Sequence, residues 1–213
     1  MKVIAISDTH CKLSSVSFDD VSADILIHAG DLTMSGSLKE TAKELFILGG
    51  LRQKFKNIVL ISGNHDFLAE RDPLIMKNLC EDNGVIYLQD SFTILNNIKF
   101  YGAAWTPFFQ NWAFNRRRGN QIRRHWELIP DDVDVLITHG PVYGIHDQVE
   151  NEKEHLGCRD LLDEMLRVKP KVHVCGHIHS GYGVKFTQGT TYINASLLDE
   201  SYKLKNKPIA FEI

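Results

Sequence analysis

No apolar stretch in this chain reaches the ~18–20 residues that a membrane span requires. The four cysteines, Cys11, Cys80, Cys158 and Cys175, form no C-x-x-C pair. That usage reads as a reducing compartment and weakens any zinc–thiolate site. Positive charge is not in surplus: 24 Lys and Arg against 27 Asp and Glu give a formal charge of −3. A broadly basic nucleic-acid-coating protein is thereby excluded. Repeats, low-complexity tracts and Pro/Gly/Ser-rich linkers are also missing. The opening apolar run is too short for a signal-peptide core and leads into Asp8, so a cytoplasmic location is expected. Asn194-Ala195-Ser196 is accordingly not read as a glycosylation site.

What is present is an ordinary globular composition, 43% hydrophobic and 24% charged. One domain spanning residues 1–213 is expected, large enough to bury close to ~70% of its unfolded surface. Val- and Ile-rich runs at 2–7, 24–29, 57–62, 133–138 and 171–175 predict strands buried on both faces. Helical spacing predicts helices over 37–48, 73–81 and 158–168, the first stopped by Gly49-Gly50. Hairpins are expected within 85–102, turning at Asn96-Asn97, and within 183–213, turning at Gln188-Gly189. Alternating strands and helices followed by hairpins indicate an α/β protein with a mixed sheet or two packed sheets.

The ten histidines are the composition's one surplus. Each buried run ends in ligand-type residues: Asp8-Thr9-His10, Gly30-Asp31, Gly63-Asn64-His65-Asp66, His139-Gly140 and Gly176-His177-Ile178-His179. Open α/β sheets place their sites at such strand ends. Residues i and i+2 of an extended segment point the same way, so Asp8 with His10, and His177 with His179, read as two-pronged clamps. Asp8, His10, Asp31, Asn64, His139, His177 and His179 make seven candidate ligands. Their imidazole, carboxylate and amide chemistry suits two divalent ions, Mn²⁺ first, with Fe or Zn²⁺ as alternatives. Two ions ~3.5–4 Å apart clamp an in-line displacement at phosphorus.

The segment 105–126 carries all three tryptophans and five arginines. It reads either as a surface insertion ending in a solvated helix or as a substrate-facing flap of stacking rings and guanidinium groups. On the second reading Trp112, Asn115 and Arg116, together with His146, are candidate substrate contacts. His28 reads as packing or as support behind ligands, His173 as core or sheet surface, His125 as solvated, and Cys11 as a buried packing residue.

The order D-x-H, G-D, G-N-H-D, H, G-H-x-H across residues 8–179 resembles the calcineurin-like metallophosphoesterase superfamily. Trp105-Thr106-Pro107, Trp112-Ala113-Phe114-Asn115, Thr138-His139-Gly140-Pro141 and the strings at 155–161 and 170–183 resemble its MPPED (metallophosphoesterase domain-containing) branch, from residue 2 to Ile213. The resemblance implies an α/β fold of two packed mixed β-sheets flanked by helices, a four-layer αββα arrangement. Asp8, His10 and His179 would hold one ion, Asp31 would bridge, and Asn64, His139 and His177 would complete the other. His65 would be the catalytic acid or transition-state stabiliser, with Asp66 beside it. The implied activity is a phosphodiesterase on cyclic nucleotides and related diesters, through a hydroxide bridging the two ions. Phosphomonoesterase activity on nucleotides or small molecules, and a metal-binding scaffold without activity, are the alternatives. A Ser/Thr phosphatase is disfavoured because Gly30-Asp31 does not continue as G-D-x-x-D-R-G. The partner expected is a nucleotide-like phosphoester, without DNA or membrane; oligomeric state is left open.

Overall fold

The Val/Ile runs become the strands that carry the rest of the molecule. A computed structural model describes residues 1–19, 21–150 and 152–213. Its strands are β1 (Lys2–Ile6), β2 (Ile25–Ala29), β3 (Asn57–Ile61), β4 (Ile86–Tyr87), β5 (Ser91–Leu95), β6 (Ile98–Ala103), β7 (Thr106–Pro107), β8 (Asn115–Arg116), β9 (Val135–Thr138), β10 (Val172–Cys175), β11 (Gly183–Thr187), β12 (Thr190–Asn194) and β13 (Ile209–Glu212). The helices are α1 (Leu38–Gly50), α2 (Phe67–Arg71), α3 (Pro73–Asp82), α4 (Asn120–Trp126) and α5 (Arg159–Val168). Among the described residues no helix is long and apolar enough to cross a membrane.

Two large mixed sheets result, ordered β13-β1-β2-β3-β4 and β11-β12-β10-β9-β6-β5, with a separate β7-β8 pair. β1 to β4 run parallel, and so do β6, β9, β10 and β12. Antiparallel strands close three of the four edges. Alternation along each strand explains why the central ones are apolar on both faces. Val3, Ala5, Ile27 and Val59 of the first sheet share a core with Val135, Ile137, Val174 and Ile193 of the second. The intervening Ile4, Ile6, Leu26 and Leu60 belong to a cluster with Leu45 and Leu48 of α1 and Met76 of α3. Tyr101 and Leu136 of the second sheet belong to it with Trp126 of α4 and Met165 of α5. The layers are therefore helix, sheet, sheet, helix, as the sequence resemblance implies.

Local chemistry sets the element ends. The Ser37 side chain caps α1 by accepting from the Glu40 amide, and Pro73 opens α3 with its fixed φ. Both expected hairpin turns form: Asn96 and Asn97 lie at φ 50° and 64°, Gln188 and Gly189 at 53° and 84°, the left-handed pairs of a two-residue hairpin. The expected stop at Gly49-Gly50 does not occur. α1 includes both glycines and passes into a 3-10 turn, Leu51–Gln53. Gly49 serves close packing instead, since a Cβ there would lie 2.6 Å from the Asn83 carbonyl.

The segment 105–126 is neither a solvated insertion nor, as a whole, a flap. Trp105, Phe114, Ile122 and Trp126 are buried, and most of the arginines serve structure. Arg123 pairs with Asp160 at 3.1 Å, and Arg118 donates to the Gly157 and Leu156 carbonyls at 2.8 and 2.9 Å. His125 is not solvated either: it stacks on Trp105 with centroids 3.8 Å apart and bonds Asp90 at 3.1 Å.

Candidate metal centre

Because the parallel strands of each sheet point one way, their carboxyl ends converge. β1, β2 and β3 deliver Asp8, Asp31 and Asn64; β9 and β10 deliver His139 and His177. An isolated bridge between Ser7 and Ser196 joins the sheets at this rim. The clamp geometry differs from the extended segments expected. Asp8, His10, Asp31 and His177 all have left-handed φ, at 54°, 40°, 54° and 68°, which costs a non-glycine residue about 1–2 kcal/mol. Cross-loop hydrogen bonds hold the strain: the Asp8 amide donates to the Gly30 carbonyl (3.0 Å) and the His10 amide to that of Asp31 (3.1 Å). Glycine permits the close approach. A Cβ on Gly63 would lie 2.2 Å from Asp31 Oδ1, and one on Gly176 would lie 2.1 Å from Asp8 Oδ2.

Six side chains form three overlapping clusters whose potential ligand atoms lie within 4.8 Å of one another: Asp8/His10/His179, His10/Asp31/His65 and Asp8/Asp31/His139. His179 Nε2 is 3.5 Å from Asp8 Oδ1, His10 Nε2 is 3.6 Å from Asp31 Oδ2, and His139 Nε2 is 3.3 Å from Asp31 Oδ2. Asn64 joins through its Oδ1, 2.9 Å from His139 Nε2. His177 stands at the edge. Its ring is 5.0 Å from that of His139 between centroids, and its backbone amide donates to Asp8 at 3.0 Å.

A common device orients four of these rings. Nδ1 of His10, His65, His139 and His179 meets the carbonyl of Thr33, Met34, Ala29 and Asp199 at 3.2, 2.7, 3.0 and 2.9 Å. A proton on Nδ1 satisfies each carbonyl and, at His10, His139 and His179, leaves an Nε2 lone pair that could ligate a cation. His10 Nε2 is buried and has no hydrogen-bond partner. An orphaned imidazole nitrogen beside two carboxylates is suited to a cation, and the donor set fits divalent ions.

Charge balance within the cluster supports the same fit. Burial opposes ionisation of Asp8 and Asp31, but His179 and His139 outweigh it and hold both carboxyls below the usual carboxylate range. Burial likewise opposes charge on His139 and His179, yet Asp31 and Asp8 push each up to about 9. Burial dominates at His177, lowering it to about 4.

The catalytic pair expected at 65–66 separates. His65 lines the cavity, its ring 4.2 Å from Trp112 and 4.6 Å from His10 between centroids. Asp66 touches neither the ring nor the cavity. It is buried and accepts from Thr33 Oγ1 (2.7 Å), the Gly63 amide (2.8 Å), the Thr33 amide (3.0 Å) and the Leu32 amide (3.3 Å). Asp66 is thus a brace between the β2 and β3 loops, fixing the stretch whose Met34 carbonyl holds His65. Burial, with nearby Asp31, pushes its carboxyl up to about 6.

Of the candidate substrate contacts, only Trp112 lines the site cavity, of about 160 Å³, along with Phe109 and Tyr202. Asn115 is occupied by Thr106 Oγ1 and the Phe109 carbonyl. Arg116 lies over the Trp105 ring at 4.0 Å and pairs with Glu70 at 3.2 Å. His146 sits behind the 3-10 turn His179–Gly181, its backbone carbonyl where a Gly181 Cβ would come within 2.3 Å. It lines neither this cavity nor the adjoining cleft. A larger groove of about 620 Å³ along α3 and β4 contains none of these residues. Sequence reasoning missed Ser196, whose Oγ donates to Asp8 Oδ2 at 2.7 Å. It also missed Tyr202, whose ring lies 4.8 Å from that of His10 with its backbone at φ 57°. The N-A-S string held the first in view; nothing in the sequence marks the second.

A model of the calcineurin-like phosphoesterase family matches residues 1–181. Human metallophosphoesterase domain-containing protein 1 is 36% identical over 100% of this chain and 71% of its own length. UPF0046 protein K07C11.7 of Caenorhabditis elegans is 34% identical over 100% of this chain and 75% of its own. Among solved structures, TT1561 of Thermus thermophilus superposes with a TM-score of 0.65 at 14% identity, covering 91% of this chain and 88% of that one. The extent of the family match and the two full-length likenesses above 30% agree with the strand-end cluster, and the chain belongs to the calcineurin-like phosphoesterase family.

Proposed function

We propose that residues 1–213 work as one domain that hydrolyses phosphodiesters, cyclic nucleotides among them, with two divalent ions, Mn²⁺ by preference. Family membership supports the coarser part, a metal-dependent phosphoester hydrolase whose family binds two divalent metals. The observation that carries the reading is the set of Nδ1-anchored histidines around Asp8 and Asp31. Asp8, His10 and His179 would hold one ion, Asn64, His139 and His177 the other, with Asp31 shared. Bound ions at such a centre stabilise the charge that builds on phosphoryl oxygens.

The chain's own residues do the remainder. His65 is held through Nδ1–H by the Met34 carbonyl; with a second proton on Nε2 the ring would hand that proton to the departing oxygen, as a leaving alkoxide requires, and return to its neutral Nδ1–H form. Trp112 packs on that ring and restricts its rotation. Tyr202, Trp112 and Phe109 wall the cavity. Donors without thiolate suit Mn²⁺ or Fe as readily as Zn²⁺, and four unpaired cysteines suit the cytoplasm.

The test is turnover of a generic phosphodiester with Mn²⁺, abolished by a chelator and restored by the ion. It is run beside 2′,3′- and 3′,5′-cyclic nucleotides, linear diesters and nucleoside monophosphates. A clear monoester preference replaces this reading with a phosphomonoesterase; bound metal with no turnover on either class replaces it with a scaffold.

A further inference from the structure

A second cavity of about 290 Å³ opens beside the metal centre, and His177 and Phe109 line both. Its walls are apolar: Phe108, Phe109, Pro141, Leu156 and Ile178, with Arg118 as the one charged residue. Folding does not account for this surface. Phe108 and Phe109 are 57% and 59% exposed, leaving two aromatic rings in water with no core to fill. The cleft is nonetheless built. Phe108 is fixed by its amide to the Arg116 carbonyl (2.9 Å), and a Cβ on Gly157 would lie 2.3 Å from the Val142 carbonyl. The Arg118 guanidinium is preset by its two bonds to the backbone at Leu156 and Gly157. Together the two cavities fall within the ~300–1,000 Å³ of small-molecule sites.

We propose that this cleft is the subsite for the organic group of the phosphoester, and that it selects a flat aromatic substituent over an alkyl one. The inference rests on the proposed function, because only a phosphate at the metal centre positions its substituent past His177. Rings offer faces for stacking with Phe108 and Phe109, and Arg118 offers a planar cation to a ring face or to its acceptor atoms. An alkyl group gains neither.

The experiment measures equilibrium binding of inorganic phosphate, methyl phosphate and phenyl phosphate to the Mn²⁺-loaded protein by calorimetry. Phenyl phosphate is expected to bind roughly tenfold more tightly than methyl phosphate, the scale of an aromatic contact plus apolar burial. Phe108→Ala, at an exposed position that poses no folding risk, is expected to reduce that ratio about threefold, and Leu156→Asp to bring it near one. A ratio near one in the unaltered protein, or one unmoved by both substitutions, overturns the subsite while phosphate binding upholds the centre. Failure of all three probes to bind overturns the functional reading and the subsite with it.

Discussion

Two groups of histidines in this molecule are both buried and chemically opposite. His28 and His173 sit inside β2 and β10, each with Nε2 against a threonine hydroxyl, Thr9 at 2.9 Å and Thr138 at 2.8 Å. Their Nδ1 atoms have no partner, and burial drives each down to about 3. His139 and His179 lie just beyond strand ends, with Nδ1 on a carbonyl and Nε2 on a carboxylate, and they stay protonated to about 9. Depth therefore does not by itself suit a ring to a cation. At His139 and His179 the difference is a carbonyl behind the ring and a carboxylate before it, and leaving the strand by one to four residues supplies both.

That contrast breaks most visibly at Asp31, which like Asp8 belongs to two of the three clusters. Asp31→Asn is expected to lose the dinuclear centre and to lower turnover by ~10³-fold or more; full metal occupancy by elemental analysis would refute the bridging role. His65→Ala should keep its metals and lose ~10²–10⁴ in turnover, the usual worth of a positioned acid. Survival of both metal content and rate would end that assignment. Ser196→Ala removes one hydrogen bond from Asp8 and should weaken metal affinity ~10–100-fold, as losses behind a ligand do, read by competition with a chelating dye. The smallest effect belongs to the strand histidines. Their folded pKa lies below the unfolded ~6.5, so between about 6.5 and about 3 the unfolded chain binds more protons and stability falls as pH falls. His173→Gln should flatten the slope of metal-free stability in that window, measured by denaturant titration, without altering stability near pH 8 by more than the lost Thr138 contact.

The sequence reading could group these residues because donor chemistry and strand ends are both local. Asp8, His10, Asp31, Asn64, His139 and His179 each lie within four residues of a strand end, so placing the strands places the donors. What stayed hidden was non-local. The carbonyls of Thr33, Met34, Ala29 and Asp199 carry no residue signature, and Asp66 looked like a partner for His65 through adjacency alone. The same limit hid the partners of the arginines in 105–126: Arg116, Arg118 and Arg123 reach Glu70, Leu156–Gly157 and Asp160, 37 to 46 positions away.

The bridge from Ser7 to Ser196 has a consequence for synthesis. Asp8 leaves the ribosome long before Ser196, which holds its carboxylate, 188 positions further on. Asp199, which aims His179, comes later still. β1 also waits for β13, with Lys2 opposite Glu212 and Ala5 opposite Ile209. Such sequence-distant contacts form late and slowly. During translation, then, β1 is held open on one side until β13 has been made. A nascent fragment that stops before Ser196 exposes that unpaired strand and has no finished site to load.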